Sequence, residues 1–204
     1  MNTIDFEFDA KLEKIFKFIA EIDKVKNIFR QSKLFDSSRF ENDAEHSWTI
    51  CIMALLLKEY ADFPVNLSRV IPMLLIHDIV EIDAGDTFFY SAQRQDAHVN
   101  EEKAARRIFG LLDEEQGEYL MNIWKEFEER KTNEAKFAAV FDRLEPLLQN
   151  FFTNGFTWKK HNITYQMVIE KNKHIGEASR EIWGFVLKLL ASAVEKGYLI
   201  KDRT

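Results

Sequence analysis

Three prolines and seven glycines are the only strong backbone breakers in this 204-residue chain. A barrel or sandwich of many strands needs a turn about every 8–12 residues. A chain this poor in turn formers does not supply them, and apolar alternation at period two is absent. What recurs is helical spacing. Phe8, Leu12, Ile15, Phe16, Ile19 and Ile22 repeat at intervals that line one face of a helix. Asn42 followed by Glu45 reads as a capping box opening a helix over 44–60, after a polar loop over 36–43. Asn66 opens another apolar helix that runs through Pro72, or starts nearer to it, and ends near Ile82 ahead of Gly85. Further helices are predicted over 102–112, after an Asp113 cap, over 133–152 after a Thr132 cap, over 164–175 and over 179–196, with 91–101 ambiguous.

Composition agrees with an all-α, single compact helical domain spanning 1–204. Hydrophobic residues make up 46% of the chain, enough for one core, and the 18 phenylalanines suit packing between helices. A net charge of −6 weighs against a general nucleic-acid binder. No apolar run approaches the ~20 residues that span a bilayer, and no basic-then-apolar leader opens the sequence. The single cysteine, Cys51, excludes an internal disulfide and fits a reducing compartment. The expectation is a cytoplasmic protein that binds neither nucleic acid nor membrane.

The chemistry gathers at His77-Asp78-Ile79-Val80-Glu81-Ile82-Asp83-Ala84-Gly85-Asp86, where an apolar helix runs into ionisable groups. A histidine and an aspartate at the buried end of such a helix are costly without a partner. A divalent metal fits both, taking an imidazole nitrogen from His77 and a hard oxygen from Asp78. Glu81 follows at helical spacing and reaches the same face. Other ligands must come from distant helices. His46 opens a helix that turns strongly apolar, and Asp142 is a lone carboxylate within Phe137–Leu144. Asp83 reads as a solvated or capping residue and Glu45 as a cap.

His46, the doublet His77-Asp78 and then Asp142 resemble the four-ligand H…HD…D pattern of the HD-domain metal-dependent phosphohydrolase superfamily. The match HDxxExxxGD from His77 to Asp86, with Glu41-Asn42-Asp43-Ala44-Glu45-His46-Ser47, is similar to the 5′-deoxynucleotidase branch. The resemblance covers about 27–152, with the C-terminal helices packed on that core. It implies an all-helical HD-domain bundle, often a homodimer. It implies one divalent metal ion (Mn, Co, Fe, Mg or Zn) on His46, His77, Asp78 and Asp142. It also implies that Glu81 acts on the attacking water, that Asp86 lies near the sugar or leaving oxygen, and that Arg30 contacts phosphate. The family often keeps a tryptophan after this arginine, whereas Gln31 and Ser32 follow here.

His98 is the only histidine between the doublet and Asp142, so one metal is favoured over two. The implied function is removal of phosphate from a nucleoside monophosphate or similar small phosphate ester. Another HD phosphohydrolase activity (on a diester or triphosphate) and a non-catalytic metal-binding regulatory module stay open.

Overall fold

A computed structural model describes residues 9–85, 89–90 and 94–202, with backbone alone for 94–98. Helix α1 (Ala10–Ile22) leads through a 3-10 turn to a small hairpin, β1 (Phe29–Lys33) and β2 (Phe40–Asn42). Then come α2 (Asp43–Leu56), α3 (Leu67–Ile76), α4 (Glu81–Ala84), α5 (Arg94–Phe109), α6 (Glu114–Glu129) and α7 (Asn133–Phe152). The chain finishes with α8 (Phe156–Lys160), α9 (Tyr165–Asn172), α10 (Ile175–Ala178) and α11 (Arg180–Glu195). No helix among the described residues is long and apolar enough to cross a membrane.

Side-chain caps set where these helices begin. Asp9, Asn42, Asn66, Asp113, Thr132, Thr164 and Ser179 each accept from a backbone N–H in the following turn. Such a bond satisfies one of the donors every helix start leaves open. At α2 the box is reciprocal: Asn42 Oδ1 accepts from the Glu45 N–H at 3.0 Å, and the Asn42 N–H reaches Glu45 Oε2 at 3.3 Å. Asn42→Ala is expected to lower the unfolding free energy by about 1 kcal/mol, read as a lower urea midpoint with an unchanged slope.

The core is organised on α7. Its Ala135, Phe137, Ala138, Val140, Phe141, Leu144 and Leu147 are buried, and it packs against α2, α3, α6, α10 and α11. Phe137 and Phe141 meet edge to face, with ring centres 4.8 Å apart. Trp124 of α6 and Trp158 of α8 are also fully buried. Gly155 opens α8 at φ 75°, where a Cβ would lie 2.0 Å from the Tyr198 carbonyl oxygen. The sharp turn lays α8 on the hairpin, where Thr157 Oγ1 donates to the Gln31 carbonyl at 3.0 Å.

Four expectations are corrected. The 36–43 loop contains β2, which pairs antiparallel with β1, Phe29 facing Asn42 and Lys33 facing Phe40. The second apolar helix does not run on to Ile82. It passes through Pro72 and ends at Ile76, after which His77–Val80 form a 3-10 turn before α4. The expected 44–60 helix ends at Leu56, and 164–175 ends at Asn172 with a separate short turn from Ile175. The apolar face of α1 is covered only in part: Leu12, Phe16 and Ile19 are exposed, while Ile22 packs against the core. Ion pairs also hold α1 in place, since Arg107 of α5 donates both to Glu21 of α1 at 2.7 Å and to Asp83 of α4.

Candidate metal centre

Three segments bring the candidate ligands together. The capping box at Asn42 fixes the entry to α2, and the first inward turn of that helix carries His46, which is completely buried. The 3-10 turn after α3 carries His77 and Asp78. The middle of α7 carries Asp142. That helix continues through Pro146, which has no N–H to offer the Asp142 carbonyl one turn earlier.

The four side chains converge on one point. His46 Nε2 lies 3.3 Å from Asp142 Oδ1 and 3.9 Å from Asp78 Oδ2. His77 Nε2 lies 3.1 Å from Asp78 Oδ2 and 3.7 Å from Asp142 Oδ1. The ring centres of His46 and His77 are 5.5 Å apart. Each ring is oriented by its other nitrogen. His77 Nδ1 donates to the Leu74 carbonyl at 2.9 Å, and His46 Nδ1 to Glu145 Oε2 at 3.1 Å. Both Nε2 atoms therefore face the carboxylates.

Electrostatics favour a cation at that point. Burial alone would raise the Asp78 carboxyl, but His77 and then Arg30 hold it well below the usual carboxylate range. Asp142 is likewise held far down against its burial, by Arg143 first and then by the two imidazoles. Burial opposes charge on His77, yet Asp78 and Asp142 pull its ring up to about 10. Burial and Arg30 both oppose charge on His46, and its bonds to Asp142 and Glu145 outweigh them. The field that draws protons onto these rings attracts any positive charge placed between them.

A divalent cation fits this donor set. His46, His77 and Asp142 offer ligand atoms all within 4.8 Å of one another. His77 Nε2 is buried and makes no hydrogen bond among the described residues, although it faces two carboxylates. Two imidazole nitrogens with hard carboxylate oxygens suit a borderline or hard transition metal. The cluster is able to hold a metal ion.

The cleft above it is lined by Arg30, Glu81, Glu101, Glu128, Arg130 and Arg143, among others. Glu81 begins α4 beside the cluster, close enough to Arg30 to add to the rise in its pKa. Arg30 projects from β1, where Nη1 donates to Asp78 Oδ2 at 2.7 Å and Asp43 Oδ1 at 3.1 Å. Asp86 lies outside the described residues, as does the side chain of His98. Asp83 stands apart from the centre, paired with Arg107, and Glu45 caps α2 and pairs with Arg39.

Sequence reasoning missed several members of the site. Glu41, Asp43 and Glu145 are almost completely buried around Arg30 and His46. Burial and the adjacent Glu145 push the Glu41 carboxyl up to about 8. Arg143 donates to Asp142 Oδ2 at 2.6 Å and stacks over Phe89, 3.7 Å from its ring centre. A usable signal was present in Asp142-Arg143-Leu144-Glu145, three charges in a run that is otherwise apolar.

Known proteins carry the same arrangement of chain. A "predicted metal-dependent phosphohydrolase" of solved structure from Magnetospirillum magnetotacticum MS-1 is 49% identical. It superposes with a TM-score of 0.90 over 94% of this chain and 96% of its own. An HD-domain phosphohydrolase from Listeria innocua, 19% identical, shares the fold with a TM-score of 0.59 over 89% of this chain and 86% of its own. Human 5′-deoxynucleotidase HDDC2 is 28% identical over 137 residues, which cover 66% of each protein, so the chain spans about two thirds of that relative's length. The 5′-deoxynucleotidase hdd1 of Schizosaccharomyces pombe is 24% identical over 87% of this chain and 96% of its own. The HD domain family matches residues 22–183, a stretch that takes in both histidines of the cluster, Asp78, Asp142, Glu81 and Arg30. The chain belongs to the HD domain family.

Proposed function

We propose that this protein is a metal-dependent phosphomonoesterase that hydrolyses nucleoside 5′-monophosphates, with deoxynucleotides as the preferred class. The observation that carries this reading is the pair of imidazole Nε2 atoms turned onto Asp78 and Asp142 at the floor of a cleft with Glu81 and three arginines on its walls. His46, His77, Asp78 and Asp142 would hold one divalent cation. A cation in that position supplies Lewis acidity, making water more acidic and screening phosphoryl charge. Manganese, cobalt or iron(II) suits two nitrogens and two carboxylates better than a closed structural zinc site does.

The protein's own groups do the rest. Glu81 takes the proton of the attacking water as its oxygen bonds to phosphorus, and returns a proton to the departing sugar oxygen. The products are inorganic phosphate and a nucleoside. Arg30 has Nη1 committed to Asp43 and Asp78, while Nη2 stands 4.0 Å from Asp142. That leaves Nη2 as the edge offered to a phosphoryl oxygen. Asp86 would accept from a sugar hydroxyl. Two relatives bear the name 5′-deoxynucleotidase, which supports the choice of substrate. We read the chain as one domain, working in the cytoplasm as a homodimer. The exposed Trp48, Ile52, Leu55 and Leu56 on one side of α2 suit such a contact.

The test is phosphate release from deoxy- and ribonucleoside monophosphates, sugar phosphates, a cyclic nucleotide and a nucleoside triphosphate. Metal-stripped protein would be reloaded with Mn²⁺, Co²⁺, Mg²⁺ or Zn²⁺. Turnover of deoxynucleoside monophosphates with Mn²⁺ or Co²⁺ is the expected result. Release of pyrophosphate or triphosphate, or opening of the cyclic ester alone, would replace the monoesterase reading with another activity. Metal binding with silence across the whole panel would favour a regulatory module.

A further inference from the structure

One turn of α7 grips both nitrogens of a single ring. Asp142 meets His46 at Nε2, and Glu145, three residues later, meets it at Nδ1. Both Glu145 and His46 are at most 2% exposed. The second oxygen of Glu145 accepts from Gln149 Nε2 at 2.6 Å, so the carboxylate is itself held in place. His77 is treated differently, because its Nδ1–H goes to the neutral carbonyl of Leu74. The two candidate ligand rings thus have unlike supports, a full negative charge behind one and a peptide dipole behind the other. A carboxylate behind an imidazole keeps the proton on that side and strengthens the opposite lone pair.

Glu41, His46 and Glu145 also lie close enough together to suggest a second cation site. The hydrogen bonds argue against it. The His46 Nδ1–H and the Gln149 amide both aim at Glu145, and a cation there would have to displace both donors.

We propose that Glu145 is a positioning residue of the metal centre: by accepting the His46 Nδ1–H as an anion, it presents the Nε2 lone pair to the cation and sets the affinity of the site. The inference rests on the metal-site reading above and goes beyond it, because Glu145 touches neither cation nor substrate. It also explains why the residue is an acid. Glu145 accepts from two donors at once. A glutamine in its place would have one accepting oxygen and one donating amide. One of the two contacts would then set donor against donor. The Gln149 amide can turn to relieve that clash, since its own oxygen has no other partner among the described residues, so what the substitution removes is the negative charge behind the His46 ring.

The experiment is Mn²⁺ titration calorimetry on the metal-stripped full chain, wild type against Glu145→Gln. The expected result is a dissociation constant weakened on the order of 10–100-fold, with the circular dichroism of the folded protein retained. In the Zn²⁺-loaded form, long-range ¹⁵N–¹H spectra of wild type are expected to show His46 protonated at Nδ1. The double variant Glu145→Gln/Gln149→Glu puts one acceptor and one donor back in register and should recover part of the affinity. Unchanged Mn²⁺ affinity in folded Glu145→Gln would overturn the proposal and leave the metal centre standing. If the single variant does not fold, the double variant decides. Mn²⁺ binding by it weaker than that of wild type supports the role, and binding as tight as that of wild type overturns it. A wild type that binds no Mn²⁺ would remove the metal centre, and this role with it.

Discussion

Glu81→Ala is expected to lower kcat for phosphate release by about 10²–10⁴-fold, the usual contribution of a positioned general base. Its Mn²⁺ affinity should stay unchanged. The helical run breaks after Ile76. A continuous helix would have carried Glu81 past His77 at a fixed rise and rotation. The 3-10 turn over His77–Val80 instead restarts the helix at Glu81, which lines the same cleft as His77 and Asp78. There Glu81 is near the cluster without being one of its four converging donors. It lies within the electrostatic reach of Arg30, the residue assigned to the phosphoryl group. A loss confined to kcat, with KM little changed, is the signature of a group needed in the transition state. Retained activity would remove the assigned role. A change in KM alone would move Glu81 to substrate binding.

The second large effect concerns the cation. Saturating Mn²⁺, at about 100 times its dissociation constant, is expected to stabilise the folded protein by about 2.7 kcal/mol. For a chain of this size each kcal/mol corresponds to about 2–4 °C, so Tm should rise by roughly 5–11 °C. Asp142→Asn should erase nearly all of that rise and the activity with it. Asp142 faces both imidazoles and accepts from Arg143, and its charge is held on by all three. An asparagine removes the charge and can turn a donor toward the rings, in place of the second anion a dication needs. Thermal melts with and without Mn²⁺ measure the difference. A full metal-induced rise in Asp142→Asn would exclude Asp142 from the ligand set.

Much of this was legible in the chain. The caps at Asn42, Asp113 and Thr132 were, because a cap is a contact over two or three residues and the pattern contains both partners. The 133–152 helix was read at its observed limits for the same reason. The hairpin was missed because β2 is only three residues long and pairs irregularly with β1, too short to show alternation. The spacing on α1 reported a helix with an apolar face, and spacing does not report what covers such a face. His46, His77, Asp78 and Asp142 stood out individually as polar residues in apolar surroundings. Glu145 and Arg143 did not, since each reads as an ordinary charge on a helix until its neighbours in space are known.

The sequence by itself determined the helical class, most helix starts and the kinds of donor available for a metal. These depend on local rules: backbone freedom, caps within one turn and the solvation of each side chain. Only the tertiary structure decided which donors meet, and which nitrogen of each imidazole is offered. Those outcomes depend on contacts between residues nearly a hundred positions apart, such as His46 with Asp142 and Glu145. Where α2 and α7 cross, the packing of α7 within the core sets that distance to a few tenths of an ångström, and no local rule encodes it.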